Sequence, residues 1–235
     1  KVPLTRIEEE LKQVLKIVGV PREAIRTKDV GDNWRKPGQD FLVFKSFDVT
    51  LRDFTLIDEI LKHNEDFVNN GSYLHYSAGK YPRKKLAVLS CMDTRLVELL
   101  PAALGIKDGD VKMIKNAGAV ITDPFDTTVR SLIIAVLELG VEEIMVITHT
   151  NCGVASITPG TIRSHLAARG IAKETINRME AEGLDFNLWF QGFETPQEEA
   201  ERTVSLLRTH PLLPRDVKIN GFVIDVVTGR LEPVN

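Results

Sequence analysis

Leu86-Ala87-Val88-Leu89-Ser90-Cys91-Met92-Asp93-Thr94-Arg95 decides the fold. Its opening residues are apolar with no polar alternation, the pattern of a short strand buried on both faces. Directly after it come a thiol, a carboxylate and a guanidinium. Outward from this stretch the chain alternates strands with helices. Arg95 to Leu104 reads as a helix ended by Gly105, and Val111 to Ile114 as a second strand. Pro124 fits a first helical turn after Asp123. Val129, Leu132, Ile133, Val136 and Leu137 mark an amphipathic helix closed by Gly140. Glu143 to Thr148 holds the apolar run Ile144-Met145-Val146-Ile147, a third buried strand. Helices occupy roughly 158–182, and Thr195-Pro196-Gln197-Glu198 opens another with cap and proline in register. Lys218 to Val227 is a last strand before the turn at Thr228-Gly229. Strands joined by helical crossovers predict an α/β fold, a mainly parallel sheet flanked by helices. In such sheets sites form beyond the carboxyl ends of strands.

The N-terminal part has a different character. Thr5 and Glu8 make a capping box, Ile7, Leu11, Val14, Leu15 and Val18 share a helical face, and Gly19 and Pro21 stop it. A polar stretch over 28–39 reads as a loop, and Phe41, Val43 and Phe47 suggest a short extended piece. A second helix follows, capped by Thr55, with Ile57, Ile60, Leu61 and Phe67 on one face and Asn70-Gly71 at its end. The expected organisation is an N-terminal helix and extended arm over 1–52, packing on the core or on a partner subunit, and an α/β domain over 53–235.

Composition narrows the function classes. With 235 residues, 43% hydrophobic and 27% charged, the chain can bury a sizeable core. A net charge of −3 gives no basic field for nucleic acid. The longest apolar runs, such as Leu132 to Leu137, fall far short of the roughly 20 residues that cross a bilayer. Two cysteines exclude a disulfide framework. Glu8-Glu9-Glu10 and the lack of an apolar N-terminal core speak against a targeting peptide, so the expected compartment is a reducing cytoplasm.

Those two cysteines carry the chemistry. Cys91 follows one predicted strand, and His149-Thr150-Asn151-Cys152-Gly153 follows another. Two thiolates and one imidazole form a set suited to zinc, and three protein ligands leave a fourth tetrahedral position for water. Two other readings stay open: Asp93 closes the metal as a fourth ligand, or the cysteines form a disulfide. An Asp93 held by Arg95 could accept a hydrogen bond from zinc-bound hydroxide and orient it; a structural salt bridge at a helix start is the alternative.

Taken together, the chain resembles the β-class carbonic anhydrases, in their compact prokaryotic branch. The resemblance rests on Ser90-Cys91-Met92-Asp93-Thr94-Arg95-Leu96, on Lys112-Met113-Ile114-Lys115-Asn116-Ala117-Gly118-Ala119, and on His149-Thr150-Asn151-Cys152-Gly153. His210-Pro211-Leu212, Gly221-Phe222-Val223-Ile224-Asp225 and Thr228-Gly229-Arg230-Leu231 extend it over about residues 54–235. It implies a Zn2+ cofactor on Cys91, His149 and Cys152, with Asp93 and Arg95 as the catalytic pair. It also implies reversible hydration of CO2 to bicarbonate and a proton by zinc-bound hydroxide. A homodimer or dimer-based homo-oligomer is the expected assembly. Relatives with this site hydrolyse carbonyl sulfide or carbon disulfide, and a non-catalytic zinc scaffold is a further alternative. Val154-Ala155 departs from the family pattern just after Gly153.

Overall fold

The computed structural model describes residues 55–234. The helix expected at Thr5 to Val18, the loop over 28–39 and the extended piece after Phe41 lie outside the described residues. The chain divides into two compact units, Lys1–His75 and Tyr76–Asn235.

Of the first unit, the described part is α1 (Leu56–Asn69) and a 3-10 turn at Ser72–His75. Thr55 caps α1 as expected: its hydroxyl accepts from the Asp58 N–H, and the Asp58 carboxylate accepts from the Thr55 N–H. Leu56, Ile57, Ile60 and Leu61 are all exposed. Gly71 adopts a positive φ of 69°, which lets the chain turn after Asn70.

The second unit is built on one five-stranded sheet. Its strands are β1 (Leu86–Cys91), β2 (Val111–Asn116), β3 (Glu143–His149), β4 (Lys218–Ile224) and β5 (Leu231–Pro233). They lie in the order β2-β1-β3-β4-β5; the first four are parallel and β5 runs antiparallel. Its helices are α2 (Leu99–Ala103), α3 (Thr127–Leu139), α4 (Pro159–Ala168), α5 (Lys173–Ala181), α6 (Phe186–Trp189) and α7 (Pro196–Thr209). Ala87, Leu89, Ile144 and Val146 pack on one side with Val129, Leu132 and Ala135 of α3 and Val204 and Leu207 of α7. Val88 and Ile147 pack on the other side with Leu96, Leu100 and Ile224. Both faces of the central strands are therefore covered, as their unbroken apolar runs require. Among the described residues no helix is long and apolar enough to cross a membrane.

Several boundaries differ from the sequence reading, each for a local reason. The helix expected over Arg95–Leu104 is split into a 3-10 turn at Thr94–Leu96 and α2, because the Asp93 carboxylate takes the Arg95 N–H and tightens the first turn. The helix expected to start at Pro124 starts at Thr127, where Asp126 accepts from the Val129 N–H; Asp123 makes its own turn with the Phe125 N–H instead. The helical stretch over 158–182 breaks at Gly170, whose φ is 81°. The last strand stops at Ile224, where Asp225 draws the next backbone into a turn, and the short β5 follows with Pro233 on the sheet edge.

Strand order fixes where a site can form. After β1 the chain crosses to β2 on one side and then returns to place β3 on the other. The carboxyl ends of β1 and β3 thus flank a topological switch point, where the outgoing loops diverge and leave a crevice. Cys91 ends β1 and His149 ends β3.

Candidate metal centre

The switch point brings Cys91, His149 and Cys152 together. Their ligand atoms all lie within 4.8 Å of one another, and all three residues are buried. The two sulfurs are 3.9 Å apart. Cys152 reaches the site because the chain reverses immediately after β3. Asn151 takes a positive φ of 52° there, a conformation that asparagine tolerates better than most residues.

Local hydrogen bonds set the chemical state of each group. The Nδ1–H of His149 donates to the carbonyl of Thr150 at 2.9 Å. A carbonyl can only accept, so Nδ1 carries a proton, and in the neutral ring, which burial favours against the pull of Cys91, Nε2 has the lone pair. That Nε2 is buried and has no hydrogen-bond partner, a costly condition unless a cation takes the lone pair. The Cys91 sulfur accepts from the Gly118 N–H at 3.3 Å. Neighbouring Cys152, then His149 and the Gly118 N–H, push the Cys91 thiol toward its ionised form against the opposing effect of burial. The Cys91 sulfur and burial push the Cys152 thiol up. Two thiolates this close repel, so both can be ionised together only with a cation between them. The donor set and its empty-handed imidazole nitrogen fit a zinc ion.

Asp93 and Arg95 form the next layer. Arg95 grips the carboxylate with two parallel bonds, Nε to Oδ1 at 2.9 Å and Nη2 to Oδ2 at 2.8 Å. Its Nη2 also donates to the Asn151 carbonyl at 3.0 Å, tying the Cys91 turn to the Cys152 turn. The Arg95 guanidinium holds the Asp93 carboxyl well below the usual carboxylate range. Asp93 Oδ2 lies 3.8 Å from His149 Nε2, so it faces the cluster while still held by Arg95.

All five predicted site residues therefore meet at one place. Two contributors escaped the sequence reading because they act through backbone atoms, the carbonyls of Thr150 and Asn151. Gly118, which stands in the second motif of the sequence, acts through its N–H on the Cys91 sulfur, with a φ of 84°. Thr150 is itself braced, its N–H donating to the Ile224 carbonyl and its hydroxyl accepting from the Val226 N–H.

Comparison with known proteins agrees with this arrangement. A family model described as carbonic anhydrase matches residues 86–231. The chain is 43% identical over 178 residues to "Putative carbonic anhydrase YtiB" of Bacillus subtilis (strain 168), covering 76% of this chain and 95% of that one. It is 34% identical over 192 residues to carbon disulfide hydrolase of Acidianus sp. (strain A1-3), covering 76% and 89% respectively. The crystal structure of β-carbonic anhydrase isoform I from Trichomonas vaginalis superimposes with a TM-score of 0.71 at 29% identity, over 77% of this chain and 97% of that one. From strand order, buried Cys–His–Cys cluster and these likenesses alike, the chain belongs to the β-carbonic anhydrase family.

Proposed function

We propose that this protein is a zinc enzyme that reversibly hydrates CO2 to bicarbonate and a proton. The reading is carried by one observation: a buried His149 Nε2 with no partner, set among two cysteine sulfurs and faced by an arginine-held carboxylate. Cys91, His149 and Cys152 would hold the ion, and two thiolates would offset its charge. Bound there, zinc supplies Lewis acidity that brings the pKa of water close to neutrality.

The chain's own residues do the orienting. An ionised carboxylate can only accept hydrogen bonds, so Asp93 takes one from the attacking water and leaves a lone pair turned toward the CO2 carbon. Arg95 keeps Asp93 ionised and fixes its plane through two bonds, which a single-point cation would not do. The Thr150 carbonyl keeps the Nδ1 proton on His149 and thereby holds Nε2 as a ligand. Attack forms the C–O bond of bicarbonate, and the water proton leaves to solvent.

A second reading keeps the site and changes the substrate to carbonyl sulfide or carbon disulfide. It is favoured by the likeness to carbon disulfide hydrolases. Parallel assays of the zinc-loaded protein on all three substrates separate the two, with CO2 hydration expected to be fastest. Zinc at one ion per chain with no turnover of any of them would leave only a scaffold role and contradict the proposal.

The same proposal includes a homodimer or dimer-based oligomer acting in the cytoplasm on CO2 and bicarbonate, with residues 1–52 as an arm on the core or partner. The exposed apolar residues of α1 support the oligomer. Sedimentation of the full chain checks it, with a monomer at micromolar concentration as the contrary result.

A further inference from the structure

Gly118 stands between the metal-binding cluster and an apolar surface that the reaction above does not use. On one side its N–H meets the Cys91 sulfur. On the other, a Cβ at this position would come within 3.1 Å of the Phe193 ring, 3.2 Å of Val154 and 2.9 Å of Val120. Phe193 and Val154 also pack against the buried group that contains Cys91 and Cys152. Phe193 is thus one residue's thickness from the metal centre.

Its position is built in by a close backbone approach. The Gly192 N–H donates to the Ile157 carbonyl at 3.2 Å. A Cβ on Gly192 would lie 2.4 Å from the Val154 carbonyl oxygen and 2.6 Å from that of Ile157, so only glycine lets the strap lie on the loop that follows Cys152.

Phe193 also lines a cleft of about 320 Å³ with Val120, Thr122, Leu188 and Gly192. Three of the four charged groups in its wall are already engaged. Glu199 is buried and accepts from Arg202 and from the Thr203 hydroxyl, while Arg202 also donates to the Ile121 carbonyl. Glu198 accepts from the Thr195 hydroxyl. Most of the surface that the cleft offers a ligand is apolar. Glu194, Glu198 and Glu199 outnumber Arg202 around it, a field that repels anions and is indifferent to a neutral molecule.

We propose that this cleft admits a small, uncharged, linear molecule, and that Phe193 is the partition that sets which such molecule reaches the metal centre. The proposal rests on the function proposed above for its substrate class: CO2, carbonyl sulfide and carbon disulfide are all linear and neutral and differ in length. Bicarbonate, being charged, is disfavoured in the same cleft.

The test pairs a binding readout with a substrate series. Crystals of the zinc-loaded protein are pressurised with xenon, a neutral apolar probe. Density on the outer face of Phe193 is expected; xenon bound elsewhere with the cleft empty overturns the proposal. In parallel, Phe193→Ala and Phe193→Leu are loaded with zinc and assayed on the three substrates. The ratio of kcat/KM for carbon disulfide to that for CO2 is expected to rise about tenfold or more in Phe193→Ala and less in Phe193→Leu, the scale on which apolar pockets discriminate. Wild-type ratios in both variants, at full zinc content, overturn the partition role. Failure of the wild-type enzyme on all three substrates would instead sink the proposed reaction, and xenon occupancy would still decide whether the cleft takes a neutral apolar guest.

Discussion

Two aspartates leave the same end of the sheet and do different work. Asp93 follows β1, and Asp225 follows β4. Asp225 commits one oxygen to three donors, the Val227 N–H, the Thr228 N–H and the Thr228 hydroxyl. Its other oxygen lies 3.5 Å from the Thr150 hydroxyl. Asp93 is held just as firmly, but by a single guanidinium and one N–H, and its Oδ2 still faces the metal-binding cluster. Both carboxyls are held below the usual range, Asp225 chiefly by the Thr228 N–H and Asp93 chiefly by Arg95. A lowered carboxyl pKa therefore does not separate a chemical role from a structural one. The direction of the remaining lone pair does.

The largest expected effect lies outside both aspartates and sets the scale for them. His149→Ala or Cys152→Ser removes a ligand, so tight zinc binding and turnover should both disappear, read by metal content after dialysis and by CO2 hydration. A variant that kept stoichiometric zinc would mean that another residue completes the set. Next comes Asp93→Asn, which keeps the shape and loses the charge. Zinc should stay, while turnover falls roughly 10- to 100-fold, the usual cost of losing a group that orients a metal site. Asp225→Ala should do the reverse. It lowers the melting temperature by unmaking the turn after β4, and activity per bound zinc stays near wild type. If the two aspartate variants behaved alike, the contrast drawn here would be wrong.

The subtlest effect is on pH. The Cys91 sulfur and burial push the Cys152 thiol up and favour its protonated form in the metal-free protein, whereas Cys152 and His149 push Cys91 toward the thiolate. Zinc must displace the Cys152 proton. Its affinity should therefore rise with pH, about tenfold per unit for each proton released. Calorimetry in buffers of different ionisation enthalpy counts those protons; a pH-independent affinity would contradict the assignment.

Much of this was legible in the sequence for a physical reason. Strands buried on both faces lack polar alternation, and Leu86–Ser90 and Ile144–Ile147 announce themselves that way. Cys91, Asp93, Arg95, His149 and Cys152 were readable as a set because thiol, carboxylate, guanidinium and imidazole side chains follow closely on two predicted strands, and the structure brings them together. What stayed hidden depends on the backbone. The carbonyls of Thr150 and Asn151 that fix the His149 tautomer and receive Arg95 exist at every residue, so nothing in the amino-acid string marks them. Element ends moved where a side chain captured a nearby N–H, as Asp93, Asp126 and Asp225 do. β5 was missed because three residues ending in a proline carry no period. Phe193 escaped because its importance comes from a close approach to Gly118 far away in sequence.

The most direct test of the central claim is stopped-flow CO2 hydration by wild type and Asp93→Asn at about pH 8.5, where water on a bound zinc would be largely ionised, with zinc measured in the same samples. The account predicts one zinc per chain in both, rapid hydration by wild type and a loss of at least about tenfold in the variant. Equal rates at equal zinc content would contradict the role of Asp93, and a zinc-loaded wild type that leaves CO2 untouched would contradict the proposed reaction itself.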